Sequence, residues 1–138
     1  MITTGIDLVR VSDVANSIEQ FGARYIDRLF TAREQVELGD IGDANRSSHF
    51  ATMFAAKEAT FKTLRLPRLP GDWRSIELVR TSEGWLDVRF HAALKELAIA
   101  RGVEQLCVSV SHEGDYATAI VMTKYTEAPA SPDIGNCS

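Results

Sequence analysis

The chain has 138 residues, of which 45% are hydrophobic and 25% are charged, and these values fit one globular domain with a single modest core. Its formal net charge of −4 excludes the overall basic field that non-specific nucleic-acid binding requires. No apolar run approaches the roughly 20 residues that cross a bilayer, and the N-terminal residues lack signal-peptide order, so we expect a cytoplasmic protein with no membrane partner.

The first third of the chain predicts one strand followed by helices. A run of β-branched residues indicates the strand, and the Thr31-x-x-Glu34 pattern is typical of a capping box at a helix start. The predicted elements are a buried strand over residues 2–11, a helix capped by Ser12 or Asp13 that runs to about Gly22, a helical stretch to about Phe30, and a short helix from Thr31 to about Gly39. Residues 39–48 are predicted to form a polar loop.

The rest of the chain predicts the longest helix and two hairpins. The helix spans about Ser48 to Leu64 and must end in LPRLPGDW, because two prolines and a glycine cannot continue its hydrogen-bond ladder. The later elements are a hairpin of strands 75–80 and 85–90, a helix over 91–101, and a hairpin of strands 105–111 and 116–122. We therefore predict an α+β fold, with helices packed on a small, mostly antiparallel sheet, as one domain over residues 1–125 and a disordered tail over 126–138.

The cysteines and histidines do not predict a metal site of their own. Cys107 lies in an apolar strand-like run and is interpreted as a packing residue, whereas Cys137 is interpreted as incidental. The three histidines are scattered along the chain, so we do not expect a zinc site.

Glu58 falls where the longest helix should face the core. At about 100° per residue it lies within an apolar stripe of phenylalanines, and two lysines lie on the shoulders of that stripe. These neighbours are Phe50, Phe54, Phe61, Lys57 and Lys62. A carboxylate without water must be hydrogen-bonded, paired with a cation or bound to a metal.

Asp7 presents the same problem on the first strand. Alternation places it on one face with Val9 and Val11, while Ile6 and Leu8 form the other face. Both faces are apolar, so Asp7 also needs a cation.

Two explanations of these acids stay open. If the strand and the helix are neighbours, Asp7 and Glu58 converge and require a counter-ion, and two carboxylates with waters and phosphate oxygens are typical of Mg²⁺. In the structural alternative, Glu58 forms an i, i+4 ion pair with Lys62, and Asp7 is a strand-end or turn residue.

Polar residues near the end of the chain form another candidate site. Cys107, Ser109 and Ser111 alternate onto one strand face, and His112 opens the next turn. They form either a solvated strand end or an anion site, with phosphate as the anion if Mg²⁺ is nearby. A catalytic triad is not supported, because no nucleophile elbow or matching acid accompanies them.

Arginines cluster in the first quarter of the chain. Arg24 and Arg28 lie one helical turn apart if that stretch is helical. Such a group is either a solvated face or a docking surface for an acidic partner.

Taken together, several stretches resemble the holo-acyl-carrier-protein synthase family of 4′-phosphopantetheinyl transferases over about residues 3–123. They are GIDLVRV near the start, F-T-A-R-E, FAAKEATFKTL in the middle and VSVSHEGDYATAIV near the end. The resemblance implies that family's fold and a Mg²⁺-dependent transfer of phosphopantetheine from coenzyme A to a serine of an apo acyl or peptidyl carrier protein. Adenosine 3′,5′-bisphosphate is the implied product, and a homotrimer with active sites between protomers is the implied assembly.

The resemblance also implies roles for individual residues. Asp7 and Glu58 match the metal-binding residues of the family, and Lys62 matches its helix lysine, so these three are the predicted catalytic group. Glu58 is the candidate base for the serine hydroxyl. The predicted contacts to coenzyme A are Lys62, Ser111, His112 and Arg46, and the predicted carrier-docking residues are Arg24 and Arg28.

Some positions depart from the family pattern. Arg10 replaces a commonly acidic residue, Met53 a commonly basic residue and Arg65 a glycine. Arg46, Arg65 or Arg68 are the candidates to restore a phosphate contact. A non-catalytic module that binds coenzyme A or a carrier protein is therefore the alternative function, and a purely structural α+β domain is the third.

Overall fold

A computed structural model describes residues 1–39 and 43–126 of the chain. Most of the predicted tail, with Cys137, and residues 40–42 of the predicted loop lie outside the described residues. The elements are β1 (Ile2–Arg10), α1 (Val11–Phe21), α2 (Ala23–Leu29), α3 (Ala32–Gly39), α4 (Asp43–Leu64), β2 (Ile76–Arg80), β3 (Leu86–Phe90), α5 (Ala92–Ala100), β4 (Val103–Glu113) and β5 (Tyr116–Tyr125), with a 3₁₀ turn (Trp73–Ser75) before β2.

The described strands form two antiparallel sheets instead of the single sheet predicted. One has three strands in the order β1-β5-β4, and the other is the hairpin of β2 and β3. Helices cover one face of the larger sheet, which confirms the predicted α+β class.

Helix α4 packs directly on β1 and β5, and a glycine makes this close approach possible. A Cβ atom at Gly5 would collide with the backbone carbonyl oxygen of Ala59 and would lie 2.8 Å from the backbone nitrogen of Thr63. The hydroxyl of Thr3 donates a hydrogen bond to the Thr63 carbonyl over 2.7 Å. The first strand and the long helix are therefore neighbours, which is the arrangement that the metal hypothesis requires.

The main core lies between α4 and the three-stranded sheet. Ala55 and Ala59 of α4 are fully buried there, and Phe30 packs edge to face on Phe50 with 5.1 Å between the ring centroids. A smaller apolar cluster forms around Leu94 of α5. None of the described helices is both long and apolar enough to cross a bilayer.

Two helices begin earlier than predicted. Helix α1 begins at Val11, and Ser12 does not cap it, because its hydroxyl donates to the Asp115 carboxylate at 2.6 Å in the turn between β4 and β5. Helix α4 begins at Asp43, so part of the predicted polar loop is helical. Polar residues in a first helical turn are hard to distinguish from a loop by composition.

One face of the three-stranded sheet is open, which contradicts two predictions. Ile6 and Leu8 are 63% and 65% exposed, so the second face of β1 is apolar but not buried. Cys107 is also exposed on this face, so its interpretation as a packing residue was wrong. The predicted alternation is confirmed, because Val108 and Val110 turn inward and pack against the core.

Candidate active site

The three residues predicted to be catalytic lie together in the structure. Asp7, Glu58 and Lys62 line one surface cavity of about 400 Å³ between β1, the first two helices and α4. Asp7 comes from the sheet, whereas Glu58 and Lys62 come from consecutive turns of one helix. The packing of α4 on β1 at Gly5 brings these two elements together.

Lys62 bridges the helix and the strand. Its ammonium donates hydrogen bonds of 2.9 Å to the Asp7 carboxylate and 2.9 Å to the backbone carbonyl of Ile6. The side chain of Lys62 is 49% exposed and that of Asp7 is 15% exposed, so the pair lies at the cavity mouth. The structural alternative assigned Lys62 to Glu58, but the lysine instead donates to the neighbouring strand.

Glu58 lies in an environment that opposes its negative charge. Burial raises the pKa of Glu58 above its ordinary value, the charge of Asp7 raises it further, and the charge of Lys62 lowers it. Two carboxylates thus repel each other across the cavity with one lysine beside them. A cation held between the carboxylates would relieve this repulsion.

The two carboxylates of Asp7 and Glu58 suit Mg²⁺ better than a metal that takes all of its ligands from the protein. Across residues 1–39 and 43–126, no group of three or more His, Cys, Asp or Glu side chains is placed to hold a metal ion. Two carboxylates are too few for structural zinc, which takes four protein ligands. They are enough for Mg²⁺, which keeps several waters and binds phosphate oxygens. Asp7 and Glu58 therefore fit this ion.

The fully buried ion of α4 is Lys57, not Glu58. Lys57 and Glu34 are both 0% exposed, and 2.7 Å separates the ammonium from the carboxylate. Burial lowers the pKa of Lys57, while the attraction of Glu34 raises it. The prediction that Lys57 lies on the shoulder of the apolar stripe and Glu58 at its centre was therefore wrong.

The error arose because two of the three phenylalanines of α4 are not fully buried in the core. Phe54 and Phe61 are only half-buried, and each ring lies 5.9 Å from the Trp73 ring. The alanine face, including Ala55 and Ala59, lies against the sheet. Small residues permit the closest helix-to-sheet packing, so the core-facing stripe of α4 has low hydrophobicity for its degree of burial.

Ser111 and His112 belong to a different surface of the protomer. They line a cavity of about 490 Å³ with Leu8, Tyr116 and Thr118, at the end of the three-stranded sheet. Both residues are exposed. One protomer therefore does not bring them into the cavity of Asp7 and Glu58.

His112 has a neighbour that sequence reasoning did not identify. The centroid of its ring lies 6.5 Å from that of His49 in α4. The Nδ1 atom of His49 lies 2.7 Å from the backbone carbonyl of Asn45. No spacing in the sequence connects two histidines so far apart in the chain.

The predicted arginines are exposed and separate from the cavity. Arg46 lies near the start of α4 with its guanidinium 5.3 Å from the ring centroid of Phe50. Arg24 and Arg28 are exposed on α2. Among the described residues, neither the cavity of Asp7 nor that of Ser111 is lined by any of these three arginines.

Tyr25 and Arg10 also line the cavity of Asp7, and neither was predicted to be there. Burial raises the pKa of Tyr25, while a hydrogen bond with the Ser17 side chain lowers it. The phenol is therefore neutral at physiological pH and can donate a hydrogen bond to a ligand. The Arg10 guanidinium lies 5.7 Å from the centroid of the Tyr116 ring.

Arg65 occupies a backbone position that favours glycine. Its φ angle is 53°, in the left-handed region, directly after the last residue of α4. The resemblance implies a glycine at this position, and glycine adopts this conformation without a steric cost. The structure keeps the turn despite the substitution.

The fold and the sequence agree with one family. Residues 3–121 match the model of the 4′-phosphopantetheinyl transferase superfamily. The chain is 35% identical over 120 residues to a holo-[acyl-carrier-protein] synthase from Geobacter metallireducens, an alignment that covers 86% of this chain and 94% of the relative.

Solved structures give the same result. The holo-[acyl-carrier-protein] synthase of Neisseria meningitidis aligns with a TM-score of 0.82 and 26% identity, over 90% of this chain and 99% of that one. A Chronobacterium ammoniagenes ACPS–CoA complex aligns with a TM-score of 0.81 and 26% identity, over 92% and 99%. The resemblance noted in the sequence is thus confirmed, and the chain belongs to the 4′-phosphopantetheinyl transferase superfamily.

Proposed function

We propose that this protein transfers the 4′-phosphopantetheine group of coenzyme A to a serine of an apo acyl or peptidyl carrier protein. Family membership and the similarity to holo-[acyl-carrier-protein] synthases, one of them in complex with CoA, support this activity. The single observation that carries it is the convergence of Asp7, Glu58 and Lys62 on one cavity. We assign the activity to a transferase domain over residues 1–125 of a cytoplasmic protein.

Asp7 and Glu58 are the proposed ligands of Mg²⁺. When bound, this ion supplies positive charge that neutralises the pyrophosphate oxygens of coenzyme A. Lys62 adds a second positive charge at the cavity mouth. Two of its three N–H groups are donated to Asp7 and to the Ile6 carbonyl, which leaves the third for a phosphate oxygen.

The transfer breaks the phosphoanhydride bond of the coenzyme A pyrophosphate and forms a phosphate ester bond to the carrier serine. The carrier serine Oγ attacks the phosphorus atom that bears the pantetheine arm, and the bond from that phosphorus to the bridging oxygen breaks. Adenosine 3′,5′-bisphosphate leaves with the bond electrons. The Glu58 carboxylate is the proposed acceptor of the serine proton.

An assembly of several protomers would complete the site. The open face of the three-stranded sheet carries a contiguous set of exposed apolar side chains, and such a patch is typical of a protein interface. Its members are Ile2, Ile6, Leu8, Ile120 and Met122. We propose that this face joins the protomers of a homotrimer, and that Ser111, His112 and Arg46 contact coenzyme A phosphates at the resulting junctions.

The exposed face of α2 is the proposed docking surface for the carrier. Arg24 and Arg28 are exposed there and lie one helical turn apart. An acidic helical carrier protein would be attracted to these charges over a distance set by the ionic strength.

A mass-shift assay tests the proposed function. The protein is incubated with Mg²⁺, coenzyme A and each member of a broad panel of apo carriers, and the carrier mass is measured. We expect one carrier to gain one phosphopantetheine group, and we expect chelation of Mg²⁺, Asp7→Ala or Glu58→Ala to abolish the gain. Asp87→Asn, which changes an exposed acid of β3, is the matched control and should leave the gain intact. No gain with any carrier would contradict the proposal, and tight coenzyme A binding without turnover would favour the non-catalytic alternative.

A further inference from the structure

Lys57 is anchored at three points, each on a different segment of the chain. Its ammonium donates hydrogen bonds to the backbone carbonyl of Leu29 at 2.7 Å, to the Glu34 carboxylate at 2.7 Å and to the backbone carbonyl of Trp73 at 3.1 Å. These acceptors belong to the end of α2, to α3 and to the 3₁₀ turn before β2. All three N–H groups of the ammonium are therefore used.

Glu34 extends the anchor to a further element. One of its carboxylate oxygens accepts from the Thr31 amide at 2.8 Å, and the other accepts from the Leu78 amide of β2 at 3.0 Å. The Thr31 hydroxyl accepts from the Glu34 amide at 3.2 Å, which completes the predicted capping box. The buried pair is thus fully hydrogen-bonded and joins α4 to α2, α3 and β2.

Stability alone does not explain a pair of this kind. Removal of two charges from water costs free energy that their attraction offsets only in part, and apolar residues of similar volume are often at least as stabilising. The pair does fix a position, because the three acceptors allow only one placement of the Lys57 ammonium. Together with the contact of α4 on β1 at Gly5, this anchor opposes rotation of α4 about its own axis.

Glu58 is the next residue, so the rotation of α4 decides where its carboxylate lies. Consecutive helical residues are separated by about 100°, so Lys57 faces α2 and α3 while Glu58 faces the cavity beside β1. A rotation of about 10° would move a carboxylate roughly 6 Å from the axis by about 1 Å, more than the roughly 0.5 Å that a productive site tolerates.

We propose that Lys57 is a positioning residue, whose buried anchor to Glu34 holds Glu58 at the distance from Asp7 that a shared divalent cation requires. This inference rests on the proposed function, in which Asp7 and Glu58 hold Mg²⁺. It assigns Lys57 no contact with substrate.

The test separates the effect of the pair on the position of Glu58 from its effect on the stability of the fold. To do so, it removes the charges of Lys57 and Glu34 together. Lys57→Met and Glu34→Met are combined in one variant, which leaves no unpaired charge in the core. The affinity for Mn²⁺, a paramagnetic substitute for Mg²⁺, is measured by electron paramagnetic resonance with coenzyme A present, beside the melting temperature. We expect a lower melting temperature, because four backbone groups lose their hydrogen-bond partners. The affinity for Mn²⁺, measured well below that temperature in the folded variant, should be about 10–100-fold weaker, as for other residues that orient metal ligands.

Two further variants keep the test decisive. If the double methionine variant does not fold, Lys57→Gln combined with Glu34→Gln retains polar contacts with no charge and carries the same expectation. Arg80→Met combined with Glu37→Met removes an exposed ion pair of 3.3 Å between α3 and β2 and should leave the affinity for Mn²⁺ unchanged.

The outcomes distinguish this inference from the proposed function. Wild-type affinity for Mn²⁺ in a folded variant without the pair would overturn the positioning role, even if the wild-type protein modifies a carrier. Weakened Mn²⁺ binding in that variant would support the role even if no carrier is modified. A wild-type protein that binds no Mn²⁺ in the presence of coenzyme A would overturn both the role and the proposed metal site.

Discussion

The ammonium of Lys62 lies 2.9 Å from the carboxylate of Asp7, so the central helix and the first strand are joined by an ion pair at the mouth of the cavity. The same lysine also acts on Glu58. Burial and the charge of Asp7 raise the pKa of Glu58, and the positive charge of Lys62 partly offsets that rise. Because Lys62 is half exposed, the ion pair adds at most about 1 kcal/mol to stability. Its position beside two carboxylates suits it to the phosphate chemistry instead.

Replacement of Lys62 should therefore separate activity from stability. We expect Lys62→Met to lower kcat/KM for coenzyme A by about 100–1000-fold, the cost typical of losing one donor that stabilises developing charge. The melting temperature should change by only a few degrees. Steady-state transfer assays and thermal unfolding check both parts. Lys95→Met removes another exposed lysine, on α5, and should change neither quantity.

Charge reversal on α2 tests the docking surface. Arg24→Glu combined with Arg28→Glu should raise KM for an acidic carrier by about 10–1000-fold, because electrostatic steering is reversed. KM for coenzyme A should stay close to wild type, and the carrier effect should shrink as salt is added. Arg89→Glu combined with Lys95→Glu reverses two exposed charges on β3 and α5 and is the matched control. An equal loss in that control variant would mean that net charge, not this helix, governs carrier binding.

The open sheet face gives a prediction about assembly. Ile6 pairs with Ile120 in adjacent strands, and their side chains are 63% and 44% exposed. Ile6→Lys combined with Ile120→Lys should convert the proposed trimer to monomers in size-exclusion chromatography with light scattering, because like charges would be buried at the interface. Transfer should be lost with the trimer. Ile99→Lys on α5, where Ile99 is 69% exposed, should leave both unchanged.

Local patterns predicted most of the elements of this fold. The β-branched run gave β1 within one residue, and the Thr31 and Glu34 capping box forms with both of its expected hydrogen bonds. Periodicity assigns residues to faces, but it does not say which element covers a face. The proximity of Asp7 to Glu58 and the open side of β1 therefore could not be derived from spacing, and only the family resemblance indicated the first of them.

The buried Lys57 shows a second limit of sequence patterns. A helical projection weights large apolar residues, so it centred the core-facing stripe of α4 near Phe54 and Glu58, neither of which is fully buried. In the structure the alanines lie closest to the sheet, since Gly5 allows direct backbone contact there. The partner of Lys57 is 23 residues away in sequence, at Glu34, where only a capping role was apparent. Hydrogen bonds between distant segments leave no periodic signal.

Stability should depend on Glu77 in a pH-sensitive way. Burial alone would raise its pKa, but contacts from the Thr31 hydroxyl at 2.6 Å and the His91 imidazole at 3.2 Å outweigh it, so the pKa lies below the ordinary 4.5. A carboxyl group with a lowered pKa adds stability above that ordinary value and loses it as the pH falls through the folded-state pKa.

Glu77→Gln should therefore be less stable than wild type at pH 7, by about 1–3 kcal/mol. The difference should shrink as the pH falls below 4.5, because the unfolded chain then binds a proton at Glu77 that the folded protein does not yet bind. Urea unfolding between neutral and acidic pH measures it. Glu104→Gln, at an exposed pair, should follow the wild-type curve. A difference that stays constant at every pH would show that the charge of Glu77 is not responsible.

Gly5 should be required both for folding and for the geometry of the cavity. In Gly5→Ala the new Cβ meets the Ala59 carbonyl oxygen, which is backbone and cannot turn away, so α4 must move off β1. We expect a loss of about 1–3 kcal/mol or more in the free energy of unfolding. The folded fraction should also transfer more slowly than wild type, because the same movement separates Glu58 from Asp7. Melting curves and transfer rates at a temperature well below the midpoint measure these effects independently. Gly39→Ala, where a Cβ meets nothing within 4 Å, should fold and transfer like wild type. If Gly5→Ala kept the wild-type melting temperature and rate, direct contact between β1 and α4 would not be what brings the two acids together.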